Sequence, residues 1–536
     1  MSTILGHIIS GSLSDGFLMR IAPDINLEQI KTGKFVCITG VDYTFFSLIT
    51  DLALHVTNPD IVLFPPSPHE TLLNKTIRKK EMYATAQLKA LLMAYKLQAV
   101  MPVKTIPNHF AAVREATSSD VSLIFGDPAH SSKKYFTVGT PLDMQTPVCI
   151  DLEKLTERSN GIFGKTGTGK TFITRLVLAG LIKQKKAVNL IFDMHSEYGL
   201  QARKEGDGLS FVKGLKTLFG SAIALFSLDP DATRRRGASA DVTITIPLTS
   251  IQVEDVMCLQ EELNLHPTAL EAAYLIHAQY KQNWLEKLLS SGESIKEFAQ
   301  EIGAHPESVA ALYRKLKRIE RLPFFIPSAQ AQYTSCIDQM MEYINSGVSI
   351  IIEFGNFTST FCYLLIANII TRRIHYEYIK RTEHYLATQK KSDEPQKLMI
   401  TVEEAHKFLN PQAARQTIFG VIAREMRKYY VSLLIVDQRP SGIDPEIISQ
   451  IGTKIVAQLN DEKDIAAVLT GANNSNTLRT VLSGLDTKKQ ALVIGHAVAM
   501  PVVVQTREYD ETFYKDMQSD VSLSPVATKE IIESIF

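Results

Sequence analysis

The 536 residues balance 57 Lys+Arg against 57 Asp+Glu, a formal net charge of zero. That balance excludes attraction of a polyanion by bulk charge, so any nucleic acid must be held by a local basic surface or by pore loops. At 45% hydrophobic and 21% charged the composition is that of an ordinary globular protein, long enough for about three or four domains.

The first stretch, residues 1–105, reads as short strands with turn signals: Ile4 to Ile9, Gly16 to Ile21, Phe35 to Gly40, Ile61 to Phe64 and Ala99 to Pro102. Such spacing predicts a small β-barrel. Residues 106–150 read as a connector with strands near Ser122–Phe125 and Tyr135–Val138. The five cysteines (Cys37, Cys149, Cys258, Cys336, Cys362) are scattered, so neither a disulfide framework nor a zinc site is expected. No basic-then-apolar leader opens the chain, and apolar runs such as Tyr363 to Ile370 are too short for a bilayer. The expectation is a cytoplasmic protein without membrane association.

An α/β core begins over residues 151–250. After Gly161-Ile162-Phe163 comes Gly164-Lys165-Thr166-Gly167-Thr168-Gly169-Lys170-Thr171, followed by an apolar helix. This is a phosphate-cradle pattern. Glycines let successive N–H groups turn toward one anion, and the helix N-terminus adds its positive dipole end. Lys170 would reach the β- and γ-phosphates of a nucleoside triphosphate, and the Thr171 hydroxyl would take one Mg²⁺ position. Val188 to Asp193 reads as a buried parallel strand, with Asp193 and Glu197 expected at the nucleotide crevice. Between strands at Ala222–Phe226 and Val242–Ile246, Arg234-Arg235-Arg236 reads as a loop, either a phosphate contact in a pore or a solvated charge run.

Residues 251–345 are helical in pattern and read as an insertion, with Trp284 in its core and a basic amphipathic stretch from Val309 to Arg318. The core resumes over 346–506, with a strand at Val348–Phe354 and a helix from about Thr358 to Lys380. Leu398 to Val402 then runs into Glu403-Glu404. Side chains alternate along a strand, so the two acids take different roles. Glu403 is assigned to the metal side and Glu404 to the attacking water. A helix from Glu404 to Tyr429 would put Arg424, Arg427 and Lys428 on one face, as an arginine finger or as favourable charge at a helix end. Gln438 ends the next strand, where its amide can bond a γ-phosphate or the attacking water. Residues 507–536 read as an exposed acidic tail that latches onto a neighbour.

The order of parts is itself informative: barrel, phosphate loop, Asp-x-His-x-Glu-Tyr, helical insertion, Glu-Glu-Ala-His, Ala-Arg-Glu-Met-Arg-Lys and Asp-Gln-Arg-Pro. It resembles the HerA branch of the HerA/FtsK superfamily of hexameric DNA-translocating ATPases. The resemblance implies an additional-strand RecA-like α/β core forming a homo-hexamer, with ATP and Mg²⁺ at subunit interfaces and double-stranded DNA in the central channel. It implies that the barrel docks a separate nuclease or other effector, for DNA end processing or antiviral defence. By position Arg158 would be an interface arginine, Arg427 the finger acting in trans and Gln438 the sensor. Two features depart from the family: Arg-Glu-Met-Arg replaces its usual glycine before the last arginine, and the insertion fits no motif. The alternative function is a nucleotide-gated ring scaffold that activates an effector without translocation.

Overall fold

The computed structural model describes residues 3–63, 81–129, 133–203, 211–330, 335–415, 417–472, 475–486 and 489–518. In it, alternating apolar residues close the N-terminal strands on themselves. The ring runs Gly16–Ile21, Ile4–Ser12, Ala112–Glu115, Phe35–Thr39, Tyr43–Val56 and Met82–Tyr95, which pairs back onto Gly16–Ile21. Closure leaves no ring edge exposed, and Phe17, Met19, Val36, Ile38, Phe45, Leu88 and Val113 fill the interior. The Ala112–Glu115 strand lies past residue 105, so the barrel reaches further than expected.

Two expected strands are helical. Asp60–Leu63 is one helical turn, opened by the Asn58 carboxamide accepting the Asp60 N–H, and Phe64 lies outside the described residues. Ser122 to Phe125 ends the helix Ser118–Phe125, where Thr117 and Asp120 make a reciprocal capping box. The cap outweighs the strand propensity of Leu-Ile-Phe. Arg114 grips the same Asp120 carboxylate at 2.6 and 3.0 Å.

The chain forms two compact units. The first comprises residues 1–173, 437–441 and 448–507. Outside the barrel it pairs Asn160–Phe163 in parallel with Thr453–Val456, then continues antiparallel through Gln490–Gly495, Val502–Thr506, Tyr135–Pro141 and Val148–Asp151.

The second unit comprises residues 174–436, 442–447 and 508–536. Its sheet is parallel, in the spatial order Val242–Thr243, Ile223–Ser227, Ser349–Glu353, Val188–Asp193, Leu398–Glu403 and Val431–Asp437. Strands buried on both faces need unbroken apolar runs, which Leu190-Ile191-Phe192 and Ile350-Ile351-Ile352 supply. Parallel register aligns the strand ends and sets Asp193 opposite Glu353.

The insertion is helical and has its own core. Trp284 is fully buried and its indole N–H donates to the Ile251 carbonyl at 2.8 Å. Trp284→Ala removes that bond and leaves a cavity, so denaturant titration will show a loss of about 3–5 kcal/mol. Arg372, on the helix Thr360–Thr388, meets the buried Asp255 carboxylate at 2.6 and 3.0 Å, beside Asn368 at 2.8 Å. That helix outruns its expected end at Lys380, closing at Gln389 in a left-handed conformation.

Two further expectations are corrected. Arg234 and Arg235 lie on the helix Pro230–Arg235, capped by Asp229, because proline at a first helical position favours a helix over a loop. Residues 509–517 are not an exposed tail: Tyr509, Phe513, Tyr514 and Met517 are buried. Within the same unit Lys183 pairs with Asp516 at 3.1 Å, and the Tyr514 hydroxyl accepts the Lys213 N–H at 3.2 Å. Residues 519–536 lie outside the described residues. Among the described residues no helix is long and apolar enough to cross a membrane.

Candidate functional site

In the first unit the strand Asn160–Phe163 ends at a loop that turns on glycines with positive φ, 79° at Gly167 and 87° at Gly169. A Cβ on Gly164 would lie 2.8 Å from Thr168 Oγ1 and 2.9 Å from Ala457 Cβ. Gly167 and Gly169 face open space, so conformation and not crowding demands glycine there. The loop is held from both sides. Gly164 N–H donates to the Asp437 carbonyl at 3.3 Å and Lys165 N–H to the Gln458 carbonyl at 3.1 Å. The Lys165 carbonyl in turn accepts Thr168 Oγ1 at 2.7 Å and Lys170 Nζ at 2.9 Å.

Gln438 meets this loop: Thr166 Oγ1 donates to its Oε1 at 2.5 Å. Open space over two left-handed glycines, with a lysine and a threonine at the following helix start, fits a phosphate chain. Among the described residues no cluster of three His, Cys, Asp or Glu forms a metal cage. Mg²⁺, which keeps waters and substrate oxygens as ligands, would take the Thr171 hydroxyl here. Arg158 is exposed, and its side chain runs along Gly452, where a Cβ would come within 2.6 Å of it.

The acids belong to the second unit. Asp193 is fully buried and accepts the N–H groups of Glu197, Tyr198 and Gly199 at 2.8, 2.9 and 3.1 Å. It braces its own loop and does not face an open crevice, contrary to the expectation. Tyr198 is carried by that loop, and its hydroxyl donates to Glu403 Oε1 at 2.7 Å. Tyr363, on the helix Thr360–Thr388, accepts the Glu403 N–H and donates to the Glu403 carbonyl, both at 3.1 Å. Two buried tyrosines thus fix Glu403, one through its side chain and one through its backbone. Tyr198 was visible in the Glu-Tyr pair of the sequence; Tyr363 gave no signal within its apolar run.

Burial pushes the Glu403 carboxyl up to about 8, against the Tyr198 hydrogen bond and with help from Asp193, Glu197 and Glu404. Between pH 4.5 and about 8 the folded chain holds a proton there that the unfolded chain has released. The Glu403 contribution to stability therefore falls as pH rises through that window. Thermal unfolding of metal-free protein across it will be less pH-dependent in Glu403→Gln than in the wild type.

Glu404 follows with φ of 49°, a conformation costly for a non-glycine residue and common at functional sites. Its carboxylate is partly exposed and stands 3.7 Å from His406 Nδ1. Arg236 is no pore arginine: it pairs with the buried Glu353 at 2.7 Å, beside Thr233 at 2.9 Å.

The expected helix from Glu404 to Tyr429 is broken into His406–Leu409, Ala413–Arg415, Ile418–Glu425 and Met426–Tyr429, the second and fourth being 3₁₀ turns. Pro411 and the Asn410 carboxamide, which accepts the Gln412 and Ala413 N–H groups, set the first break. The backbone that carries Arg424, Arg427 and Lys428 therefore crosses an α-to-3₁₀ junction. Arg424 donates to the Ala414 carbonyl at 3.0 Å and stands 3.4 Å from the Glu446 carboxylate. The Arg427 side chain lies outside the described residues.

The family profile described as "Helicase HerA, central domain" matches residues 136–374. The chain is 24% identical over 388 residues to the DNA double-strand break repair helicase HerA of Pyrococcus furiosus, covering 68% of this chain and 67% of that protein. It is 39% identical to the Sulfurisphaera tokodaii HerA over 116 residues, a match spanning 23% of that relative's length. Among solved structures, VirB4 of Thermoanaerobacter pseudethanolicus is similar at a TM-score of 0.46 and 14% identity, covering 71% of this chain and 98% of that one. The plasmid coupling protein TrwB, in complex with ADP and Mg²⁺, is similar at 0.42 and 10%, covering 67% and 87%. The family profile and these relatives make the chain similar to HerA-type helicases, the profile match falling on residues 136–374.

Proposed function

We propose that this ATPase is a DNA-translocating motor: a homo-hexameric ring that couples ATP hydrolysis to movement along double-stranded DNA in its central channel. A separate nuclease or effector docks on the closed barrel, for DNA end processing or antiviral defence. The observation that carries the reading is the Thr166–Gln438 hydrogen bond at 2.5 Å. It ties the glycine cradle to Gln438, the residue proposed to sense the γ-phosphate. The HerA relatives, named as double-strand break repair helicases, support DNA as the track.

Lys170 neutralises the β- and γ-phosphates and the loop N–H groups bind the chain between them. When bound, Mg²⁺ supplies charge neutralisation across the phosphates. Thr171 and Glu403 are its proposed holders, Glu403 through water. Glu404 takes the proton of the attacking water, and Gln438 senses the γ-phosphate through Thr166. Arg158 and Arg427 are proposed to act across subunits.

ATP-driven displacement of a third strand from a triplex DNA tests the motor. The expected result is displacement that needs hydrolysable ATP. Hydrolysis that activates an effector but never displaces the third strand would support the nucleotide-gated scaffold.

A further inference from the structure

The helical insertion carries a concentration of positive charge that the chain's zero net charge conceals. From 314 to 321 the sequence is Arg-Lys-Leu-Lys-Arg-Ile-Glu-Arg, five cations against one carboxylate, Glu320. The helix Pro306–Leu316 and the 3₁₀ turn Lys317–Arg321 bury Leu312, Leu316 and Ile319 on one side. Arg314, Lys317, Arg318 and Arg321 are exposed, and their spacing of three, one and three residues lines them along the other side.

Among the described residues no carboxylate forms an ion pair with any of these four, and Glu320 favours the Lys317 cation only from a distance. Aromatic rings hold two of them instead. Lys317 donates to the Tyr313 hydroxyl at 2.8 Å, and the Arg318 guanidinium lies 4.7 Å from the Phe361 ring centroid. Neighbouring rings set the position of a cation without cancelling its charge. Elsewhere on this unit comparable cations are neutralised, as with Arg236–Glu353, Lys216–Asp241 and Lys183–Asp516. An unneutralised row of cations matches a nucleic-acid backbone, whose phosphates carry charge at a fixed interval whatever the sequence.

We infer that the ridge Arg314, Lys317, Arg318 and Arg321 is a nucleic-acid backbone contact on the insertion, built for phosphates and blind to sequence. The inference rests on the motor reading for its ligand. The ridge also adjoins the acidic strand end. Phe361, under Arg318, follows Thr360, whose hydroxyl accepts Lys407 Nζ at 3.2 Å, and Lys407 follows the His406 that faces Glu404. Phosphates seated on the ridge therefore act next to the segment that holds Glu404.

The test uses the full chain and a 40-base-pair duplex, with binding followed by fluorescence anisotropy from low to moderate salt. For R314Q/K317Q/R318Q/R321Q the slope of log K against log salt is expected to flatten by about 0.9 for each phosphate left without its cation, roughly 3.6 for four. ATP turnover without DNA is expected to stay at the wild-type rate while its stimulation by DNA falls. K390Q/K391Q, which removes two exposed lysines off the ridge, is expected to leave the slope unchanged. A quadruple variant with the wild-type slope overturns the ridge and leaves the motor reading standing. A wild type that binds no duplex in low salt sinks both. Wild-type binding to anionic phospholipid vesicles in preference to duplex would make the ridge a membrane-binding surface and overturn the inference.

Discussion

Lys170→Ala is expected to reduce ATP turnover at limiting ATP by about a hundredfold or more, chiefly by weakening binding. Lys170 reaches across its own loop to the Lys165 carbonyl at 2.9 Å, so its ammonium already sits inside the turn that the glycines open. A charge-assisted hydrogen bond to phosphate is about twice as strong as a neutral one, and alanine loses both the bond and the charge. Nucleotide affinity, read with a fluorescent ATP analogue, should weaken about a hundredfold, or roughly 2.7 kcal/mol. The loop itself should survive, because Thr168 Oγ1 and the Lys165 and Gly164 N–H groups hold it independently. Lys170→Arg should fail as well, since a planar fork cannot replace a compact ammonium in a turn this tight.

Glu404→Gln is expected to separate binding from chemistry. Glutamine keeps the size and the left-handed backbone of Glu404 but cannot accept a proton. General-base catalysis contributes about 10²–10⁴-fold, so steady-state turnover should fall by that factor while nucleotide affinity stays within about twofold of wild type. The same substitution at Glu403 should behave differently. Glu403 is buried and held by Tyr198 and Tyr363, so losing its carboxylate should weaken metal-dependent nucleotide binding more than the chemical step. Titrating Mg²⁺ against turnover separates the two, with a shifted midpoint for Glu403→Gln and a lowered plateau for Glu404→Gln.

The parts of this protein that were legible in its sequence are those where a residue type is forced by backbone or charge. Gly167 and Gly169 take positive φ in open space, and only glycine does so cheaply, so the phosphate loop could be read directly. The buried parallel strands were equally plain, because burial on both faces demands runs such as Ile350-Ile351-Ile352. What stayed hidden depends on partners distant in the chain. Nothing local shows that Arg236 neutralises Glu353, or that Asp193 spends its carboxylate on three backbone N–H groups. The Tyr363 hydroxyl, bound to both backbone groups of Glu403, is 40 residues from its partner. Local chemistry also misled where two signals competed. The Thr117–Asp120 box made a helix of Leu-Ile-Phe, and Pro411 broke what basic spacing alone suggested was one continuous helix.

The proposal that the glycine cradle and the paired glutamates carry two halves of one hydrolysis is tested most directly by nucleotide content. Glu404→Gln protein incubated with Mg²⁺ and ATP, then freed of unbound nucleotide by gel filtration, should retain unhydrolysed ATP, and adding Lys170→Ala to the same chain should empty it. Retention of ADP alone by Glu404→Gln, or of ATP by the double variant, would contradict the account.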